Sequence, residues 1–318
     1  MPPVVDLSAV EAVLDATLVE GGPPVGRPGL HLLRAGGRRL RPTLVLLGDE
    51  FAERSCREQL IHLAASVELL HMATLLHDDI VDDARIRRGQ PTINAVWGHR
   101  LSVLMGDYLF ARAFELLATW GNQEILRGLA GAVRAMAEVE AQELAGGPSP
   151  DLTEQEYWDR VAKKTALFMA QCPRLAALAG DAPASYQEAL HSYGFQLGLA
   201  YQVVDDLLDL TAKPSVLGKP TGQDLRRGIV TLPVIHAMSH CSAEDRGRLQ
   251  ATIRARPAPD DGAEWVLPLL ESKGSIAYTL AAADRMVDGA CAALAGLPAV
   301  PARERLEGIA RSVPRRDY

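Results

Sequence analysis

Two short acidic stretches, each closing a long apolar segment, constrain this chain more than any other feature. In LLHDDIVDDARIRRGQ (residues 75–90), Asp78, Asp79 and Asp82 have the spacing D-D-x-x-D. In AYQVVDDLLDL (residues 200–210), Asp205, Asp206 and Asp209 repeat it. The segments before them, VELLHMATLLH and GFQLGLAYQVV, are apolar with helical periodicity. On a helix, positions i, i+1 and i+4 share one side, so each cluster places carboxylates at the end of a helix that is otherwise core. Like charges at i,i+4 cost an isolated helix roughly 0.2–0.5 kcal/mol per pair. Acidic side chains near a helix C-terminus also oppose its dipole. A divalent cation removes both penalties. Hard oxygen ligands favour Mg²⁺, which bridges one or two carboxylates to substrate phosphates. Two such patches across a cavity would hold several Mg²⁺ ions around one diphosphate.

The rest of the chain points to an all-α fold. Alanine and leucine dominate and only 5% of residues are aromatic. Helical periodicity runs over 56–83, 101–119, 125–144, 152–179, 185–210 and 230–239, with further helices to the C-terminus. Pro/Gly breaks such as GGPPVGRPG and AGGPSPD separate them, but none has the length or composition of a linker. The expectation is one domain over 1–318 without strands. A net charge of −7 argues against nucleic acid as a partner. No G-x-x-x-x-G-K-[ST] and no strand-linked G-x-G-x-x-G is present, so a nucleotide fold is not supported. Cys56, Cys172, Cys241 and Cys291 lie far apart, which reads as reduced thiols in a cytoplasmic protein and not as a zinc site. The N-terminus MPPVVDLSAV lacks the pattern of a signal peptide. Charge interrupts the apolar stretches before the ~20 residues of a membrane span, leaving room only for peripheral contact with a bilayer.

Three basic runs accompany the acidic clusters. Arg85, Arg87 and Arg88 follow the first, Lys219, Arg226 and Arg227 follow the second, and GGRRLRP (residues 36–42) supplies Arg38, Arg39 and Arg41. The arginine fork suits phosphate oxygens, so three such runs around two metal-binding patches suggest polyphosphate.

With GGRRLRP, ELLHMATLLHDDIVDDARIRRGQPT, GDYLFARA, KTALF and YQVVDDLLDL…LGKPTGQDLRRGIVTLP in this order, the chain resembles the trans-isoprenyl (polyprenyl) diphosphate synthases over roughly two thirds of its length. The resemblance implies the isoprenoid synthase fold, helices around a deep central cavity, usually as a homodimer. It implies Mg²⁺-dependent condensation of an allylic diphosphate with isopentenyl diphosphate. Asp78, Asp79, Asp82, Asp205, Asp206 and Asp209 match the metal-binding aspartates. Arg87 matches an allylic-diphosphate ligand, and Arg38, Arg41, His71 and Arg88 match the isopentenyl diphosphate pocket. Lys164, Thr165, Gln202 and Lys219 match residues around the leaving diphosphate and the developing cation. In the implied mechanism, metal and cationic side chains stabilise diphosphate as it leaves. The double bond of isopentenyl diphosphate then attacks the allylic cation, and a proton is lost to the departing diphosphate. The chain departs from the family pattern at Arg38, where lysine is usual, at Tyr201, where phenylalanine is commoner, and in Ala212-Lys213-Pro214.

The resemblance also bears on product length. In this family the residues four and five positions before the first aspartate gate the cavity, here Thr74 and Ala73. Short-chain enzymes often carry an aromatic there. Ala73 leaves the space open, so the expected product is a medium- or long-chain all-trans polyprenyl diphosphate, released with peripheral membrane contact. Three alternatives stay open at this point: a short-chain farnesyl or geranylgeranyl diphosphate synthase, the subunit of a heteromeric synthase, and a class I terpene cyclase. The cyclase normally needs a different second metal motif and an aromatic-lined cavity.

Overall fold

The computed structural model of the chain describes residues 5–54, 56–212, 221–255 and 265–315. In chain order its helices are α1 (Ser8–Glu20), α2 (Pro23–Arg34), α3 (Leu40–Gly48) and α4 (Arg57–Val81). Next come α5 (Ile93–Trp97), α6 (His99–Ala118), α7 (Gln123–Gly146), α8 (Glu154–Val161) and α9 (Leu167–Ala179). Then come α10 (Ala184–Thr211), α11 (Gln223–Arg226), α12 (Leu232–His240), α13 (Ala243–Arg254), α14 (Val266–Ser272), α15 (Ser275–Ala293) and α16 (Pro301–Ser312). The fold is all-α, with one departure among the described residues. Strands β1 (Ile86–Arg87) and β2 (Gln90–Pro91) form a two-residue antiparallel ladder, too short for period-two alternation to announce it.

The chain divides into two compact units. The first comprises Met1–Val133, Gln171–His191 and Gly296–Leu306; the second comprises Arg134–Ala170, Ser192–Ala295 and Glu307–Tyr318. In the first unit α4 packs against α1, α3 and α6. Leu60, Leu63, Leu69, Leu70 and Leu76 of α4 are fully buried, each worth roughly 1.5–3 kcal/mol relative to exposure. Gly106 of α6 lets α4 approach closely, since a Cβ there would lie 2.2 Å from His77 Nε2. The apolar run of α4 is longer than the sequence reading allowed. By length and composition this helix could cross a membrane, but 67% of its apolar window is buried inside the structure, as befits a core helix.

In the second unit α8 opens with a capping box. Glu156 N donates to Thr153 Oγ1 at 3.2 Å, and Thr153 N donates to Glu156 Oε2 at 2.8 Å. The helix expected over 152–179 is wound in three pieces: α8, a π turn at Ala162–Ala166, and α9. A single π turn shifts the phase of the apolar stripe by one residue without breaking the helix, so the segment still reads as one helix from sequence.

Candidate active site

The first aspartate motif ends α4. Asp83 adopts φ 47°, a left-handed conformation that aspartate tolerates better than most residues. Ala84 N donates to Asp79 O at 2.9 Å and Asp83 N to Ile80 O at 3.2 Å, the paired bonds of a Schellman stop. Asn94 Nδ2 ties the same end down, donating to Asp79 O at 3.2 Å and Ala84 O at 3.0 Å. The three carboxylates then diverge. Asp79 is buried and ion-paired to Arg87 Nε at 2.8 Å. Burial pushes its carboxyl up from the ordinary value, against the pull of Arg87. Asp78 and Asp82, one helical turn apart, are half-buried.

Two basic loops converge on the same helix. Arg88 (φ 52°) and Gly89 (φ 73°) are the two left-handed residues between β1 and β2, as a two-residue hairpin turn of type I′ requires. Arg88 donates through Nη1 to Gly36 O. Gly36 (φ 79°) and Gly37 (φ 155°) hold backbone angles that L side chains rarely adopt, so this loop needs glycine. His71, two turns before Asp78 on α4, is half-buried and held well below the ordinary imidazole value. Loss of water is the main cause, followed by Arg41, Arg88, Arg87 and Arg39. Arginines from two separate stretches thus concentrate positive charge around a neutral histidine.

The three arginines of GGRRLRP divide their tasks. Arg39, with a side chain only 10% exposed, bonds Glu11 Oε1 at 2.7 Å, Glu68 Oε1 at 2.8 Å and Leu33 O at 3.0 Å. It anchors the loop. Arg38 is exposed and Arg41 half-buried. The sequence reading missed this anchor. Its signal was Glu68, an acid within the apolar run of α4.

The second motif lies inside α10. Gly194, Gly198, Gln202 and Asp206 recur every four residues and form one stripe of that helix. The glycines let the preceding backbone come close: a Cβ on Gly194 would lie 2.7 Å from Ala170 Cα, and one on Gly198 2.6 Å from Ala166 Cα. That approach brings Thr165, in the π turn, to Gln202, and its hydroxyl donates to Gln202 Oε1 at 2.7 Å. Gln202 Nε2 donates to Asp206 Oδ1 at 2.7 Å, and Tyr157 O–H donates to Asp206 Oδ2 at 2.7 Å. Burial pushes Asp206 up to about 7, and Asp224 adds to the shift. Asp209 is also buried; its Oδ2 accepts from Asp224 N at 3.1 Å, in the first turn of α11. Asp205 is half-buried. Lys164 pairs with Glu140 and, at 3.7 Å, with Glu143 Oε2, both on α7. Neither Tyr157 nor this acidic pair was singled out from the sequence. Lys219 lies outside the described residues.

The chain matches the polyprenyl synthetase family over residues 23–269. It belongs to that family. It is 39% identical over 315 residues to heptaprenyl diphosphate synthase component 2 of Geobacillus stearothermophilus, covering 98% of this chain and 96% of that one. To the octaprenyl diphosphate synthase of Escherichia coli (strain K12) it is 36% identical over 316 residues, with the same coverage. A polyprenyl synthase from Caulobacter crescentus CB15, solved with calcium and isoprenyl diphosphate, superposes with a TM-score of 0.94 at 34% identity. That match covers 98% of this chain and 95% of that one. As a polyprenyl synthetase family member, the chain is a trans-prenyltransferase with the isoprenoid synthase fold. The family works with a divalent metal. The donor chemistry in each unit suits such a metal: Asp78 and Asp82 offer hard oxygens a turn apart at a partly exposed helix end of the first, and Asp205 offers a half-buried carboxylate in the second. Among the described residues no three acidic, histidine or cysteine side chains gather into a preformed cage. Mg²⁺ does not ask for one, since it takes one or two carboxylates and completes its shell with water and phosphate. Ala73 is fully buried and Thr74 half-buried, its hydroxyl bonded to His71 O at 2.8 Å.

Proposed function

We propose that this prenyltransferase condenses an allylic diphosphate with isopentenyl diphosphate and extends the product to a medium or long all-trans chain. The observation that carries the reading is the gathering of Arg41, Arg87 and Arg88 around neutral His71, with Arg39 anchoring the loop that carries Arg41, along the helix that ends in Asp78 and Asp82. Such a concentration of cationic forks suits a diphosphate. Asp78 and Asp82 in the first unit, and Asp205 in the second, would each bind Mg²⁺, which supplies electrostatic stabilisation of the leaving diphosphate. Arg87 and Arg88 would orient the allylic and isopentenyl diphosphates respectively, with Arg38, Arg41 and neutral His71 completing the second site. Thr165 and Gln202 would direct polar hydrogens toward the departing group, and Lys164 would join them by exchanging its glutamate partners for phosphate. No side-chain nucleophile is needed. The names of the heptaprenyl and octaprenyl relatives support the chain length, as does the small side chain at Ala73. We further infer a single catalytic domain, a homodimer, and cytoplasmic location with peripheral membrane contact on product release.

The test is incubation of the purified chain with labelled isopentenyl diphosphate, Mg²⁺ and, separately, dimethylallyl, geranyl, farnesyl and geranylgeranyl diphosphates. The expected result is a ladder of dephosphorylated products ending beyond the geranylgeranyl length. Termination at farnesyl or geranylgeranyl would overturn the length assignment alone. The relative named as component 2 favours a second reading, a catalytic subunit that needs a partner chain. Turnover by the chain alone excludes it.

A further inference from the structure

We infer that a cavity in the second unit is a binding site for an organic diamine or polyamine. The cavity holds about 520 Å³, the size of a small-molecule site. Pro150–Glu154 at the start of α8, the end of α12, α13 and α15 line it. None of its lining residues belongs to the aspartate motifs or to the three basic runs.

One wall is a column of three rings. His240 lies on His236 with centroids 4.1 Å apart and planes at 20°, and His236 lies on Tyr278 at 4.2 Å and 25°. The column fixes Tyr278, whose O–H donates to both oxygens of Glu154 at 2.9 Å. Trp158 Nε1 donates to the same carboxylate at 3.1 Å.

The polar lining is short of donors. All three of its hydroxyls donate within the protein: Tyr278 to Glu154, Thr153 to Glu156 Oε2 and Ser239 to Ile235 O. Nδ1 of His240 faces the carbonyl oxygen of His236 at 2.8 Å, so it carries the proton and leaves Nε2 of the neutral ring as an acceptor. Gln250 Nε2 donates to Asp151 Oδ1 at 2.7 Å. A carboxylate has about four lone-pair sites, so Asp151 and Glu154 still have acceptor capacity. Against these two negative charges the lining sets one guanidinium, Arg246, and Arg254 approaches Asp151 only to 3.8 Å. The space therefore calls for a cation that donates hydrogen bonds.

A metal ion does not answer that call. Among the described residues no three ligating side chains converge on one point, and nearly parallel rings cannot aim two in-plane lone pairs at one ion. A chain of methylenes between ammonium groups does. Pro150, Leu152, Ile235 and Met238 offer apolar surface to the methylenes, and Glu154 and Asp151, three residues apart, offer carboxylates to the nitrogens.

The test is calorimetric titration of the full chain with spermidine, in saturating Mg²⁺ and inorganic diphosphate so that the aspartate motifs are occupied. Wild type should bind. Glu154→Gln should weaken binding about fivefold, and the exposed Asp151→Asn by less. Arg246→Ala should tighten it, because a like charge is removed; this exposed side chain tests the site even if Glu154→Gln fails to fold. Replacing Asp78 and Asp82 together by Asn should leave spermidine binding unchanged. Absence of binding in wild type overturns the inference, as does the same affinity in Glu154→Gln and Arg246→Ala as in wild type. Loss in the Asp78 and Asp82 variant alone places the polyamine on the aspartate motif and also overturns it. So does binding of inorganic phosphate, in place of spermidine, that Arg246→Ala abolishes, since the cavity is then an anion site.

Discussion

In α4 the D-D-x-x-D motif sits where the helix stops, whereas in α10 the same spacing lies within a helix that runs on to Thr211. The inner aspartates consequently meet different partners. Asp79 pairs with a cation, Arg87, delivered by the short ladder that comes after the helix stop. Asp206 instead accepts from two neutral donors, the phenol of Tyr157 and the carboxamide of Gln202. Identical spacing therefore does not mean identical work. The elements packed around each motif decide which carboxylates are consumed by the fold and which stay near the surface.

The largest effect should come from the outer pair of the first motif. Replacing Asp78 and Asp82 together by Asn is expected to lower kcat roughly 10²–10³-fold with little change in melting temperature, since both are half-buried. Asp79→Asn should instead show in stability, by about 1–3 kcal/mol, because it weakens a buried bond to Arg87. Urea midpoints beside turnover numbers separate the two. A variant of Asp79 that loses activity like the outer pair, while keeping its midpoint, erases the distinction between outer and inner positions.

A glycine next to each motif sharpens the contrast. A methyl group at Gly198 meets backbone, Ala166 Cα at 2.6 Å, whereas one at Gly106 meets the tip of a side chain, His77 Nε2 at 2.2 Å. Side-chain tips can move and packed backbone cannot. Gly198→Ala should therefore cost about 1–3 kcal/mol, and Gly106→Ala less. Equal losses in thermal melts would mean that His77 is held as firmly as the backbone of the π turn.

Ala73→Tyr probes a position just before the first motif and should shorten the product. Ala73 has no exposed surface, so the ring must displace neighbours at a cost of about 1–3 kcal/mol. Chromatography of the products is therefore run well below the melting point of the variant. An unchanged product ladder removes Ala73 from the determinants of length.

Much of this was legible in the sequence. Helix periodicity located α4, α6, α7, α10 and α12 within two residues at every end, because each has a stripe to bury. The family motifs identified the chemistry. Three things were not legible. The π turn at Ala162–Ala166 shifts the apolar stripe by one residue without interrupting it, so the segment reads as one continuous helix. The choice between Arg38, Arg39 and Arg41 depended on Glu11 and Glu68, distant in sequence. And the roles within each aspartate triplet depended on Arg87, Tyr157 and Gln202, which spacing alone cannot rank.

The pH dependence of stability is the most direct comparison of the two regions, because its sign differs between them. His71, on the first-motif helix, is held well below 6.5 by burial and by Arg41, Arg88, Arg87 and Arg39. The unfolded chain takes up that proton first, so the stability His71 contributes is present above about pH 6.5 and is lost as pH falls through the depressed value. Asp206 runs the other way. Its carboxyl is raised from 3.8 to about 7 by burial and Asp224, against the bonds from Gln202 and Tyr157 and the charge of Arg160. Its contribution is present below pH 3.8 and is lost as pH rises toward 7. In metal-free protein, held so with EDTA, the stability difference between wild type and His71→Gln should shrink as pH drops below 6.5. The advantage of Asp206→Asn over wild type should grow as pH rises from about 4 to about 7. Melting curves across that range measure both slopes. Slopes of the same sign would show that one of these groups is charged where its surroundings favour the neutral form.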